Sequence, residues 1–312
     1  MRRPLIEFNV TAQQLEQMFA PSNELTTTSW EKIWMQNVVE NLNIFPEPRP
    51  MAELIGTINR HISWVVGAGP SIRRLKKYGK DFDPSWGIFV TDHSLLPVLE
   101  AGLKPTLVVT MDGHQKTEPV ILQGFDMLNL MYPETPVLVD LVCCPSVVEK
   151  IQNPYFFRTS GNPEHILTKY ITREVKEYPR MQMGHGGNVG SACMVMVKFF
   201  SFSRHVGIIG LDSAMQEGTT RKGYFYDRQM PEDHQYVQVS DIYGRPITTM
   251  ANLHNYKWWA DHYCYTNDEI EWINANDGGF LGVCSATENY NHFKYMTLPE
   301  AIAYLKEHGE ED

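Results

Sequence analysis

Five short apolar runs recur through the middle of this chain, and they constrain its fold more than any other feature. They cover residues 62–66, 87–90, 106–111, 136–142 and 205–211, each of strand length. Between them, residues 70–78, 95–101 and 190–200 have the spacing of helices. Apolar runs without polar alternation belong to strands covered on both faces, and strand–helix alternation builds a parallel sheet. The expected fold is therefore α/β: a Rossmann-like, mainly parallel sheet with helices on both faces.

The flanks read differently. Residues 1–60 are expected to form a peripheral N-terminal helical segment. Apolar residues at 30, 33, 34, 38 and 42 share one helical face, and Ser29 is placed to cap it. Pro46-Glu47-Pro48-Arg49-Pro50 breaks the chain into a linker. Residues 61–212 then form a nucleotide-binding α/β core. From 213 to 265, Tyr, His, Gln, Arg and Asp dominate, which suits a lid or binding loop. Residues 213–312 thus read as a lid and a C-terminal segment completing the core, with a last helix over 298–305 and an acidic tail.

Charge and cysteine usage bound the function class. The 312 residues include 27 Lys plus Arg against 37 Asp plus Glu, a net charge of −10, and 43% are hydrophobic. That balance excludes a disordered chain and argues against a general nucleic-acid coat or a basic membrane binder. No run approaches the roughly 20 apolar residues of a membrane helix. No apolar stretch follows Met1-Arg2-Arg3-Pro4, so neither a membrane span nor a signal peptide is expected. The five cysteines have no metal-ligand spacing, and adjacent Cys143 and Cys144 are expected to be buried and reduced. The expected compartment is the cytoplasm.

Three constellations carry chemistry. In Trp64-Val65-Val66-Gly67-Ala68-Gly69-Pro70-Ser71-Ile72 an apolar strand runs into a Gly-x-Gly turn, with Pro70 where a helix begins. Such a turn offers amides to a phosphate, or is a plain strand-to-helix connection. It is neither the dinucleotide fingerprint, which needs a glycine at Ile72, nor a P-loop. Secondly, Asp92, Asp112 and Asp212 each end an apolar run. In an open parallel sheet they face one crevice, where they could bind ribose, hold Mg²⁺ or act as a base; alternatively each caps a helix. Thirdly, Gly184-His185-Gly186-Gly187-Asn188-Val189-Gly190-Ser191 leads into an apolar helix and offers a second anion site. His185 is there a candidate acid, base or phosphate contact, and the alternative is a flexible loop before a closely packed helix. Within the lid, Arg221, Tyr224 and Tyr226 suit a phosphate-bearing ligand, or a solvated loop, and His234 is a further candidate acid or base.

Taken in order, these motifs resemble the family that joins archaeal 6-hydroxymethylpterin diphosphokinases to the central domain of Maf (motility-associated factor) glycosyltransferases. The resemblance rests on Trp30, Asn37 and Asn41 in the leading helix, and on Gly67-Ala68-Gly69-Pro70-Ser71-Ile72. Thr91-Asp92, Thr110-Met111-Asp112 and Gly186-Gly187-Asn188-Val189-Gly190 continue it, followed by Leu211-Asp212 and Asn274-Ala275-Asn276-Asp277-Gly278-Gly279. The family is similar in fold to bacterial sialyltransferases. The resemblance implies a nucleotide at residues 67–71 and transfer from an activated donor.

The leading expectation is a Maf-type glycosyltransferase using a CMP-, UDP- or GDP-linked sugar. Its nucleotide would be held by Gly67, Ala68, Gly69, Pro70, Ser71, Asp92, Gly186, Gly187, Asn188 and Ser191. Asp112, Asp212, His185 and His234 are the candidate catalytic residues. The alternative is a Mg-ATP-dependent diphosphokinase acting on a pterin-like alcohol, with Asp112 on the metal. A second alternative is a non-catalytic nucleotide-binding module. The acceptor stays open among protein, glycan and modified nucleic acid, and a homo-oligomer is possible on this reading.

Overall fold

The computed structural model describes residues 30–114, 119–159, 164–214, 236–283 and 292–308. Nine strands form one sheet: β1 (Ile62–Val66), β2 (Gly87–Thr91), β3 (Leu107–Thr110), β4 (Val137–Asp140), β5 (Pro154–Thr159), β6 (Gln182–Met183), β7 (His205–Ile209), β10 (Glu271–Asn274) and β11 (Phe293–Tyr295). Their order is β11-β10-β7-β1-β2-β3-β4-β5-β6, with parallel neighbours throughout. The intervening β8 (Tyr236–Ser240) and β9 (Pro246–Met250) form a separate antiparallel hairpin. The chain winds outward from β1 to β6, then crosses back to lay β7 on the other side of β1. The strand order therefore reverses at β1, and a crevice opens there at the carboxyl ends of the strands.

Alternation along each strand feeds two cores. Trp64, Val66, Ile88, Val90 and Val108 point to one face, and Val65, Phe89, Leu107 and Val109 to the other. The first face is covered by α1 (30–44), α3 (Asp92–Glu100), α4 (Pro119–Met131) and α9 (Leu298–His308) through Val38, Leu95, Phe125 and Leu305. The second is covered by α7 (Val189–Phe200) and α8 (Ala251–Thr266) through Met194, Val197, Ala260 and Cys264. This is the Rossmann-like α/β architecture with helices on both faces. The other described α-helices are two of a single turn, α2 (Leu75–Tyr78) and α5 (Pro145–Val148), and α6 (Ile166–Glu174); the stretch expected as one helix over 70–78 is a 3₁₀ helix, Pro70–Arg74, running into α2. Cys143 and Cys144 are buried and reduced. Among the described residues no helix is long and apolar enough to cross a membrane.

Two regions differ from the sequence reading. Residues 236–266, part of the expected polar lid, are regular structure. Helix α8 hides its periodicity because its charges are spent inside: Lys257 and Asp261, four apart, form a buried pair 2.6 Å long. Its aromatics stack as well, Trp259 on Tyr263 at 4.9 Å. The remaining lid candidates Arg221, Tyr224, Tyr226 and His234 lie outside the described residues, as do Ser29 and the acidic tail. The leading helix is not peripheral either. Asn37 Nδ2 donates to the carbonyls of Gly113 and Val142, both at 2.9 Å, and Asn41 Nδ2 to those of Leu141 and Cys143 at 3.0 and 2.8 Å. Both asparagines are buried, so α1 is fastened across the loops that follow β3 and β4.

Candidate functional site

At the reversal of strand order lies a cavity of about 470 Å³. Its floor comes from the turns after β1 and β7, at residues 67–69 and 210–214, and from residues 187–190 at the start of α7. One wall carries residues 91–93 and 111–114, together with Trp30 and Trp34 of α1; Leu253 and Tyr256 of α8 form the other. Of the residues expected from sequence, the fold brings Gly67, Ala68, Gly69, Asp92, Asp112, Gly187, Asn188 and Asp212 onto this one surface. Pro70, Ser71, His185, Gly186 and Ser191 are not on it.

The Gly-x-Gly turn has its place but not the polar edge expected of a cradle. The N–H of Gly67 donates to Ile209 O at 2.9 Å and that of Gly69 to Gly210 O at 2.7 Å. The N–H of Ser71 donates to Asp212 Oδ2 at 3.1 Å. Pro70 has no N–H, so four of the five positions offer no spare amide. The need for glycine at 69 is also internal. A Cβ there would run into the Asp212 carboxylate and stand 2.7 Å from Gly210 O. The turn is shaped to lie flush against the end of β7.

The three strand-end aspartates have three environments. Asp92 is buried at the start of α3, and both its oxygens accept hydrogen bonds. Its Oδ1 accepts the N–H of His93 at 2.7 Å and lies 3.0 Å from His93 Nδ1, while Oδ2 accepts Thr110 Oγ1 at 2.8 Å. Burial works to raise its pKa, but the bonds from His93 and Thr110 outweigh burial and hold it below the ordinary carboxylate value. Three of its roughly four acceptor positions are used in this way, so Asp92 first of all ties β2 to β3. Asp112 is exposed on the cavity rim, and its Oδ1 accepts the N–H of His114 at 2.9 Å. Asp212 is buried, 4% exposed, on the cavity floor. Burial pushes its carboxyl up to about 6, against the opposing bonds from Ser71.

The glycine-rich segment delivers the start of α7. Gly187 has φ +85°, a left-handed conformation that favours glycine, and it turns the chain into the helix. Asn188 and Ser191 form a reciprocal cap: Ser191 N–H donates to Asn188 Oδ1 at 2.7 Å and Asn188 N–H to Ser191 Oγ at 3.3 Å. These two side chains serve the helix. Val189 and Gly190, from the same first turn, line the cavity at the positive end of the helix dipole. His185 is a strut. Its Nδ1 accepts the N–H of Gly187 at 3.0 Å and its Nε2 lies 2.6 Å from Thr159 Oγ1. Burial first, then Arg158, lowers its pKa to about 4, so it is neutral at physiological pH. An imidazole with both nitrogens committed, away from the cavity, does not fit the acid–base role expected of it.

Sequence reading missed several site residues. Trp30 and Trp34 read as core positions of a helix, yet they form a wall, Trp30 against His114 at 5.3 Å and Trp34 beneath the Arg158 guanidinium at 5.4 Å. Tyr256 was hidden in the polar stretch. The segment after β10 was noted only for its resemblance. In the fold, Asn276 Oδ1 accepts the N–H of Gly210 at 2.7 Å, Asp277 N–H donates to Ser71 Oγ at 2.7 Å, and Phe280 N–H donates to Asp212 O at 2.6 Å.

Comparison with known proteins follows this geometry. The sequence profile of the 6-hydroxymethylpterin diphosphokinase MptE-like family matches residues 36–218. Among solved structures, a Maf glycosyltransferase from Magnetospirillum magneticum AMB-1 has the same fold, with a TM-score of 0.60 at 11% identity. The match covers 88% of this chain and 40% of that one, so the chain spans less than half the length of that protein. No curated protein matches the chain.

Proposed function

The chain belongs to the family of 6-hydroxymethylpterin diphosphokinase MptE-like proteins, and on that premise we propose that it is a transferase that draws on a nucleotide-activated donor, with glycosyl transfer from a CMP-, UDP- or GDP-linked sugar as its reaction. The observation that carries this reading is the cavity at the strand-order reversal. It joins a helix N-terminus suited to phosphate, a carboxyl that burial pushes up to about 6, and two tryptophans suited to a planar base. The fold shared with a Maf glycosyltransferase supports it. In this reading Val189 and Gly190 meet the donor's phosphate, Trp30 and Trp34 flank its base, and the acceptor hydroxyl approaches Asp212.

A second reading, a diphosphokinase acting on a pterin-like alcohol, is favoured by the family match, which spans the 67–71 turn, the aspartates and the glycine-rich segment. It needs Mg²⁺, which binds through one or two carboxylates plus substrate phosphates. Asp112 fits that part, being exposed on the cavity rim, whereas Asp92 is buried and already bonded to His93 and Thr110. Mg²⁺ would neutralise the phosphate charge there.

Thermal-shift titration with CMP, UDP, GDP and ATP, each with and without Mg²⁺, separates the two. Stabilisation by a cytidine, uridine or guanosine nucleotide supports glycosyl transfer. Stabilisation only by ATP with Mg²⁺ overturns it in favour of the diphosphokinase. Binding with no turnover across a donor panel would leave a nucleotide-binding module.

A further inference from the structure

The 67–71 turn reads as a phosphate cradle, yet the amides of Gly67 and Gly69 are bonded to main-chain carbonyls at the end of β7, and both polar groups of Ser71 meet one side chain of the protein itself. Ser71 donates its N–H to Asp212 Oδ2 and its hydroxyl to Asp212 Oδ1. The Ser71 oxygen accepts the main-chain N–H of Asp277 at 2.7 Å. With one lone pair so occupied, the hydroxyl proton is aimed at the carboxylate. Behind it, the carbonyl of Asp212 is held by the N–H of Phe280 at 2.6 Å. Both carboxylate oxygens are thus gripped by one residue of the turn, and the backbone is gripped from the opposite side. A carboxylate offers about four acceptor positions, so two bonds leave room for a proton.

We propose that the 67–71 turn is a clamp for Asp212, that Ser71 is a positioning residue, and that Asp212 is the group that takes the proton from the acceptor hydroxyl. This rests on the transferase reading. In the step, the acceptor oxygen forms a bond to the donor's electrophilic centre and its proton passes to Asp212. The bond from that centre to the nucleotide's phosphate oxygen breaks, and its electron pair stays on the phosphate. Asp212 is buried on the cavity floor, and its carboxyl sits near 6, where a base is effective at neutral pH. The charged groups around it are accounted for. Asp277, whose charge also acts to raise the Asp212 carboxyl, is paired with Arg74 at 2.9 Å, and its carbonyl accepts Arg245 Nη2 at 3.1 Å. Across the cavity, Asp92 is bound to His93, and Asp112 stands on the rim.

The test compares wild type with Ser71→Ala, Ser71→Thr and Asp212→Asn. Three quantities are read: the Asp212 titration midpoint by carboxyl NMR, the affinity for CMP and for ATP by calorimetry, and the pH profile of transfer. Ser71→Ala is expected to raise the midpoint by about one unit and move the acid limb of the rate profile with it, because the lost hydroxyl bond favours the ionised form while the main-chain N–H of residue 71 still donates to Oδ2. Nucleotide affinity is expected to stay within about threefold in Ser71→Ala and Asp212→Asn, while Asp212→Asn loses turnover about a hundredfold or more. Ser71→Thr, which keeps the hydroxyl, restores the midpoint. An affinity loss of about tenfold in Ser71→Ala with an unmoved midpoint would overturn the clamp and restore the cradle. Wild type alone supplies a further check: nucleotide should protect the amides of Val189 and Gly190 from hydrogen exchange and leave those of Gly69 and Ser71 unchanged, and protection at Gly69 and Ser71 would count against the clamp. If no nucleotide binds wild type, the transferase reading fails, while the Ser71→Ala midpoint still decides the clamp.

Discussion

Replacing Lys257 by Met strands a carboxylate inside the protein. Lys257 Nζ lies 2.6 Å from Asp261 Oδ2, and both side chains are 4% exposed. Nζ also donates to the carbonyl of Val283, and Asp261 Oδ1 accepts the N–H of Gly282 at 2.8 Å. The pair therefore ties α8 to the turn that holds the backbone of Asp212. Methionine keeps much of the lysine stem and removes the charge. Breaking a buried pair by removing one partner costs about 3–5 kcal/mol. Burial, the strongest influence on Asp261, raises its pKa against the opposing Lys257, so without Lys257 it rises further. A carboxyl with a folded-state pKa above its unfolded value binds more protons when folded. Its contribution to stability therefore declines as pH rises through the window between the two. The cost of Lys257→Met is thus larger at about pH 8 than at about pH 5, because lower pH favours the neutral form of Asp261. Urea unfolding followed by tryptophan fluorescence at both pH values measures it. Adding Asp261→Leu should recover most of the loss, leaving about 1–3 kcal/mol for the Gly282 N–H without its acceptor. A single-variant cost below about 1 kcal/mol, or one identical at the two pH values, would refute the view that this pair is a desolvated anchor.

Three other outcomes are expected. Asn37→Ala removes two donations into main-chain carbonyls, at about 1–3 kcal/mol in all, so hydrogen exchange over residues 30–44 should quicken while β1 stays protected; unchanged exchange would mean that α1 is held by its apolar face alone. His185 binds fewer protons when folded than unfolded between its folded value of about 4 and the ordinary value near 6.5. Stability therefore falls as pH drops through that window, by at most about 3 kcal/mol, and His185→Gln should flatten this acid-side slope in denaturant titrations; an equally steep slope would show that other groups set it. Trp34→Ala removes part of the cavity wall and the ring beneath Arg158. If that wall seats a base, calorimetry should show nucleotide affinity falling by about tenfold, and an unaltered affinity would place the base elsewhere.

The strands read best from sequence are those buried on both faces, β1, β2, β3, β4 and β7, whose apolar runs need no partner to be recognised. β5, β6, β10 and β11 were not read, because their composition is mixed: Pro154–Thr159 carries Tyr155, Arg158 and Thr159, and Gln182–Met183 is only two residues. Helix α8 is masked in the sequence for a physical reason. A Lys and an Asp four residues apart look solvated in any linear pattern, and only their mutual burial makes them core.

Among the site residues the same division holds. The amino-acid sequence on its own determined that strands end in glycine turns and aspartates, because backbone turns and strand periodicity are local properties. From that, a crevice bearing Gly67, Gly69, Asp92, Asp112, Gly187 and Asp212 followed. What each of these groups does was decided by tertiary contacts between segments 66 to 141 residues apart in sequence. Ser71 meets Asp212, Asn37 meets Val142, and Asn276 meets Gly210 only once the sheet is assembled. A hydrogen-bonding group can serve the fold or a ligand, and which it serves depends on whether the folded chain has already satisfied it. The turn at 67–71 is the plainest case: its glycines and serine are visible in the sequence, and the packing of β7 and the segment after β10 against them turned the glycine amides to the carbonyls of Ile209 and Gly210 and Ser71 to Asp212.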